Sequence, residues 1–213
     1  MDLAGDLERV RAVLGATDRL GRRESTRIVG AATRMFGAAG REVALRATVR
    51  AFRPWLHVLE RDASSRSWPL ATLSLIEISV REEPSAPGAW FPWEGADYPL
   101  TYQNGLHYAI SMLWKAAMNG QGRPGLPRGC ALCVEALLGT QVDIEWHRAN
   151  PETTIFHTVA GDTGVHGEHF EEIRRLLNAP DTGAIFRNGW LNVLADVEEL
   201  TRERGDLSGR PGG

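Results

Sequence analysis

Lysine is almost missing from this 213-residue chain: Lys115 stands alone, and the rest of its 24 basic residues are arginine. A GC-rich coding sequence, which favours Arg, Ala and Gly codons, explains that bias without any appeal to arginine chemistry. Cysteine is scarce as well, with only Cys130 and Cys133. A chain of this length buries roughly 70% of its unfolded surface, so its core needs no disulfide or metal staple. No apolar run approaches the ~18–20 residues of a membrane span. The opening residues Met1-Asp2-Leu3-Ala4-Gly5-Asp6 have neither the basic region nor the apolar stretch of a signal peptide. Internal repeats are missing too. With 43% hydrophobic and 24% charged residues, the expectation is a soluble cytoplasmic protein with no membrane partner.

The charges that are present are unevenly placed. Residues 1–61 hold 12 basic and 7 acidic side chains, and the remainder hold 12 and 20, so +5 stands against −8 within a total of −3. A basic N-terminal third of this kind meets an acidic surface: nucleic acid, a partner, or the chain's own C-terminal half. Three parts of one domain are expected: a basic helical part over 1–61, an α+β main body over 62–204, and a polar tail over 205–213.

Apolar periodicity predicts most of the elements. Leu3, Leu7, Val10 and Leu14 mark a first helix. A second starts near Ser25, an N-cap residue type, and presents Ile28, Val29, Ala32, Met35 and Phe36 before Gly37 and Gly40. A third runs from about Glu42 through Leu45, Val49, Phe52, Leu56 and Leu59, and Pro54 must kink or divide it because it lacks an amide donor. Thr72 to Arg81 is aliphatic and β-branched, which predicts a strand. A buried helix is expected over 101–119 and a short one over 130–138. Val142, Ile144 and Trp146 alternate with Asp143, Glu145 and His147, the pattern of a half-buried strand over 141–148. Asn150-Pro151 then turns into a strand over 153–159. Helices over 167–177 and 188–204 complete a helix-dominated α+β domain with a small antiparallel sheet.

Four groups of residues carry possible chemistry. Cys130-Ala131-Leu132-Cys133 has the spacing of a redox dithiol or half a zinc site, and His147 follows Cys133 after 13 intervening residues. Leu132, Val134, Leu137 and Leu138 surround the pair, which favours two small buried hydrophobes instead. His157, Asp162, His166 and His169 form the densest polar cluster. Imidazoles and carboxylates in that density suit Zn or another divalent transition metal, although no H-E-x-x-H is present. The bland reading is a solvated helix start rich in Glu168, Glu171 and Glu172. His107 and Ser111, four apart between Asn104 and Lys115, have the spacing of a base and a nucleophile on one helix face. That line serves equally as the solvent stripe of a mostly buried helix.

The fourth group lies in the segment 81–99, where Trp90, Phe91, Trp93 and Tyr98 fall among Pro84, Pro87, Pro92 and Pro99. Prolines at this density bar a regular helix or central strand. Aromatic residues on a stiff loop make good interface anchors.

Arg27 to Gly40 (RIVGAATRMFGAAG) resembles the first helix of TetR-type repressors, in which an apolar-Ala-Ala-aromatic pattern ends in glycine. The resemblance covers about fourteen residues, and the turn and recognition helix of that family are not found over 41–55. It implies DNA contact, for which Arg46, Arg50 and Arg53 form a basic line.

Three functions follow from these features. The first is a binding or regulatory protein that docks a protein partner or a second copy through Trp90, Phe91, Trp93 and Tyr98, without a cofactor. The second is a metal-dependent, hydrolase-like enzyme built on His157, Asp162, His166 and His169. The third is a nucleic-acid binder acting through the N-terminal arginines.

Overall fold

The structure is a computed structural model that describes residues 2–16, 22–55, 125–149 and 180–208, together with 73, 109, 110, 112–114 and 117. Helix α1 spans Leu3–Gly15 and is capped by Asp2, whose side chain accepts a hydrogen bond from the Gly5 amide at 3.0 Å. Leu7, Val10 and Leu14 form its buried stripe, as the four-three-four spacing requires. Helix α2 spans Arg22–Ala39 and buries Ile28, Val29, Ala32, Met35 and Phe36.

One residue separates α2 from α3, which spans Arg41–Arg50. Gly40 makes that corner at φ 85°, a left-handed conformation that side chains disfavour. Its amide donates to the Phe36 carbonyl at 3.2 Å, and its carbonyl accepts from the Ala44 amide at 3.0 Å. The same residue therefore finishes one helix and starts the next. Beyond α3, Phe52 is fully buried and the chain tightens into a 3₁₀ turn, Arg53–Trp55. The regular helix thus ends short of Pro54, whose missing donor bars its continuation, and positions 56 to 59 of the expected third helix lie outside the described residues.

Helix α4 spans Leu126–Ala149 and helix α5 spans Pro180–Ser208. Gly125 opens α4 by accepting from the Gly129 amide at 2.9 Å, and Pro127 sits in the first turn, where a missing amide costs nothing. Helix α1 packs on α2, α2 on α4, and α3 on α5, while α4 also touches α3 and α5. The core they enclose is apolar, and Phe36, Phe52, Phe186 and Trp190 are its largest fully buried side chains. Phe186 and Trp190, one turn apart on α5, meet edge to face with ring centroids 6.5 Å apart. Ala109, Ile110, Leu113, Trp114 and Ala117 are helical and buried as well. The Ala117 carbonyl is held by the Arg41 guanidinium at 2.9 Å.

The expected α+β class is overturned, because the described residues are helical and contain no strand. The strand predicted over 141–148 is the last third of α4. Alternation there covers only six residues, while positions 138, 142 and 146 also repeat at the helical interval of four. Once a helix is nucleated, each added residue gains a hydrogen bond at little further cost. No proline or cap stops α4 after Leu138, so it continues through Gly139. In the strand predicted over 72–81, Leu73 is helical and buried. The strand predicted over 153–159 lies outside the described residues. Helix α5 starts eight residues earlier than expected and runs to Ser208, into the segment read as a tail.

Candidate functional site

The long helix α4 carries the described residues with the most chemical potential. Cys130 and Cys133, one turn apart, are both free and fully buried. Burial pushes the Cys130 thiol up to about 12, opposed in part by the Thr48 hydroxyl and the Arg41 guanidinium. The Cys133 thiol is pushed well above its ordinary value by burial and by its neighbour Cys130. A thiolate is the nucleophile and the metal ligand, and this setting disfavours both thiolates. Among the described residues, no three His, Cys, Asp or Glu side chains converge as a metal would need. Positions 133 and 147 lie on one helix, about 21 Å apart at 1.5 Å per residue. The interval between Cys133 and His147 therefore does not close on a single ion. The two sulfurs pack the core.

These thiols are expected to be inert in the folded protein. Titration with a disulfide reagent at neutral pH should show no fast-reacting thiol without denaturant and two with it. One or two thiols reacting at the rate of a free cysteine in the native protein would contradict the burial argument.

Two residues past Cys133 lies Glu135, 3% exposed, with its Oε1 atom buried and without a hydrogen-bond partner. Burial pushes its carboxyl up to about 7. The signal was present in the sequence, where Glu135 is the one charge within the apolar run Cys130 to Leu138. The second unsatisfied buried atom among the described residues is the indole Nε1 of Trp190.

A charged clasp joins α1 and α3 to α5. Arg50 of α3, mostly buried, reaches three acids of α5: Asp196 at 3.2 Å, Glu199 at 3.3 Å and Glu203 at 3.7 Å. Arg11 of α1 bridges Glu8 at 2.6 Å and Glu198 of α5 at 2.5 Å. Thus the basic N-terminal third meets the chain's own C-terminal helix. Of the arginines placed in a DNA-facing line, Arg50 is taken up in this clasp and Arg46 pairs with Glu42 at 3.0 Å. Arg53 is exposed.

Most sequence-predicted site residues lie outside the described residues. These are His107 and Ser111, the rings Trp90, Phe91, Trp93 and Tyr98, and the cluster His157, Asp162, His166 and His169. No helix among the described residues is long and apolar enough to cross a membrane. Comparisons of the chain with models of known protein families, with curated proteins and with solved structures found no match.

Proposed function

We propose that the chain is a cytoplasmic docking protein, in which the helical bundle is a frame and Trp90, Phe91, Trp93 and Tyr98 are the partner-contacting residues. The observation that carries this reading is the composition of 81–99, with four large rings in nine positions on a segment stiffened by prolines. A stiff loop loses less entropy on binding, and each well-buried aromatic anchor can contribute ~2 kcal/mol or more. The frame has large rings of its own at its centre, Phe36, Phe52, Phe186 and Trp190. Two free thiols in place of a disulfide suit a reducing compartment.

The partner is a protein with a basic face. Glu82, Glu83, Glu94 and Asp97 flank the rings and favour arginine or lysine around an apolar centre. A second copy meets that description. Arg27 and Arg53 are exposed on the bundle, with no ion pair to another described residue. A nucleic-acid role loses support from the clasp, which spends Arg50 and Arg11 inside the molecule.

The test is the double variant Trp90→Ala with Trp93→Ala, compared with the unaltered chain by sedimentation velocity over a range of concentration and salt. The expected result is salt-sensitive self-association in the unaltered chain, its loss in the variant, and a melting temperature changed little. A large drop in melting temperature would assign the rings to the core and remove the reading.

A further inference from the structure

The described core holds a carboxyl group, that of Glu135, one of whose oxygens is buried with no hydrogen-bond partner among the described residues. Glu135 sits in the middle of α4, the helix that touches α2, α3 and α5, and every α4 residue from Cys133 to Leu138 is buried with it. No hydrogen bond reaches its Oε1 atom. Most described arginines of the packed helices are engaged elsewhere or face solvent. On α2, Arg27 is exposed and Arg34 lies 3.9 Å from Asp6. On α3, Arg41 holds the Ala117 carbonyl, Arg46 pairs with Glu42, and Arg50 pairs with Asp196, Glu199 and Glu203 of α5. Arg204 of α5 and Arg128 of α4 are exposed, and burial is what raises the Glu135 carboxyl.

We propose that Glu135 is a proton-operated latch, whose neutral form lets α4 seat among its neighbours and whose ionised form draws water toward α4 and loosens that packing. An unpaired charge in an apolar interior is far costlier than the neutral acid. Two outcomes are open to the protein, protonation or local opening, and pH selects between them.

The direction follows from linkage. Burial lifts the folded carboxyl from 4.5 to about 7, so the folded chain binds this proton more tightly than the unfolded chain does. The stability contributed by Glu135 is therefore complete below pH 4.5, falls as pH rises, and is lost by about pH 7. Above that pH both forms are ionised and the contribution stays flat. The native group itself changes state near neutrality, where α4 is to loosen.

Hydrogen exchange of the α4 amides at pH 6 and pH 8, corrected for intrinsic rates, tests the latch in the full chain, in Glu135→Gln and in Glu135→Met. Protection in the unaltered chain should fall by about tenfold relative to either variant on going to pH 8. Both variants should melt roughly 5–10 °C higher than the unaltered chain at pH 8, with the gap closing toward pH 5. The methionine variant keeps the test alive if the glutamine variant misfolds. Carbon-13 titration of the Glu135 carboxyl needs no variant at all. A titration in the ordinary glutamate range, or α4 protection that follows one pH profile in all three proteins, overturns the latch.

Discussion

Trp190→Ala should destabilise the bundle by about 3–5 kcal/mol, the range for truncating a fully buried tryptophan. Trp190 is 0% exposed and shares an edge-to-face contact with Phe186 on the same helix. Alanine removes that ring contact and leaves a void which close-packed helices fill only in part. For a chain of this size the loss corresponds to roughly 10 °C or more in melting temperature. Trp190→Phe makes the comparison informative. Phenylalanine keeps most of the apolar area and deletes the indole Nε1, which has no partner. Removing an unsatisfied buried donor recovers some free energy, so the phenylalanine variant should lose less than half as much. Thermal unfolding followed by circular dichroism at one pH decides it. A loss below about 1 kcal/mol for alanine would show that Trp190 does not hold the core.

The second large effect is expected at Gly189, immediately before Trp190. A methyl group built on Gly189 meets Leu138 Cδ2 at 2.1 Å, Cδ1 at 2.9 Å and Cγ at 3.1 Å. No rearrangement of a single terminal methyl relieves all three, and Leu138 is itself buried. The Leu138 side chain of α4 occupies the space that a side chain at 189 would need. Gly189→Val should therefore lose about 2–3 kcal/mol through overpacking, against a gain of only a few tenths in helix propensity. Leu138→Ala is destabilising alone, since it opens a cavity. Combined with Gly189→Val it should cost less than the two separate losses added together, because the new side chain occupies the vacated space. Additive losses would mean that residues 138 and 189 do not meet, and the close approach of α4 and α5 would be wrong.

Helices with strong apolar periodicity were legible in the sequence. Leu7, Val10 and Leu14 gave away α1, and Ile28, Met35 and Phe36 gave away α2, since each set repeats at helical intervals and each is buried. Pro54 and Gly40 were legible because their constraints are covalent and local. The 141–148 segment was misread for the opposite reason. Over six residues a period of two can sit on a helix, and the deciding fact is what precedes it, a helix already formed from Leu126. Charge asymmetry showed that the N-terminal arginines need an acidic surface, but net charge does not specify which one. Only the juxtaposition of α3 and α5 selects Asp196, Glu199 and Glu203. The cysteines were legible as core from their leucine and valine neighbours. Glu135 was overlooked because a lone acid in an apolar run looks like a solvent-facing point until the helix is found to be buried on nearly every side.

The clasp between Arg50 and α5 also constrains how the protein is made. Its partners stand 146 residues apart in the chain, and those of the Arg11–Glu198 bridge 187 apart. At ~5–20 residues per second, a ribosome takes roughly 7 to 30 seconds to supply Asp196 after Arg50. For that interval the face of α3 that receives α5 lies bare, and until about residue 162 the nascent chain also carries an excess of positive charge. The N-terminal helices can form early, but they cannot be sealed until translation reaches the acids of α5. Any message truncated before that point yields a fragment whose Arg50 and apolar α3 face stay uncovered, properties that recruit chaperones and proteases.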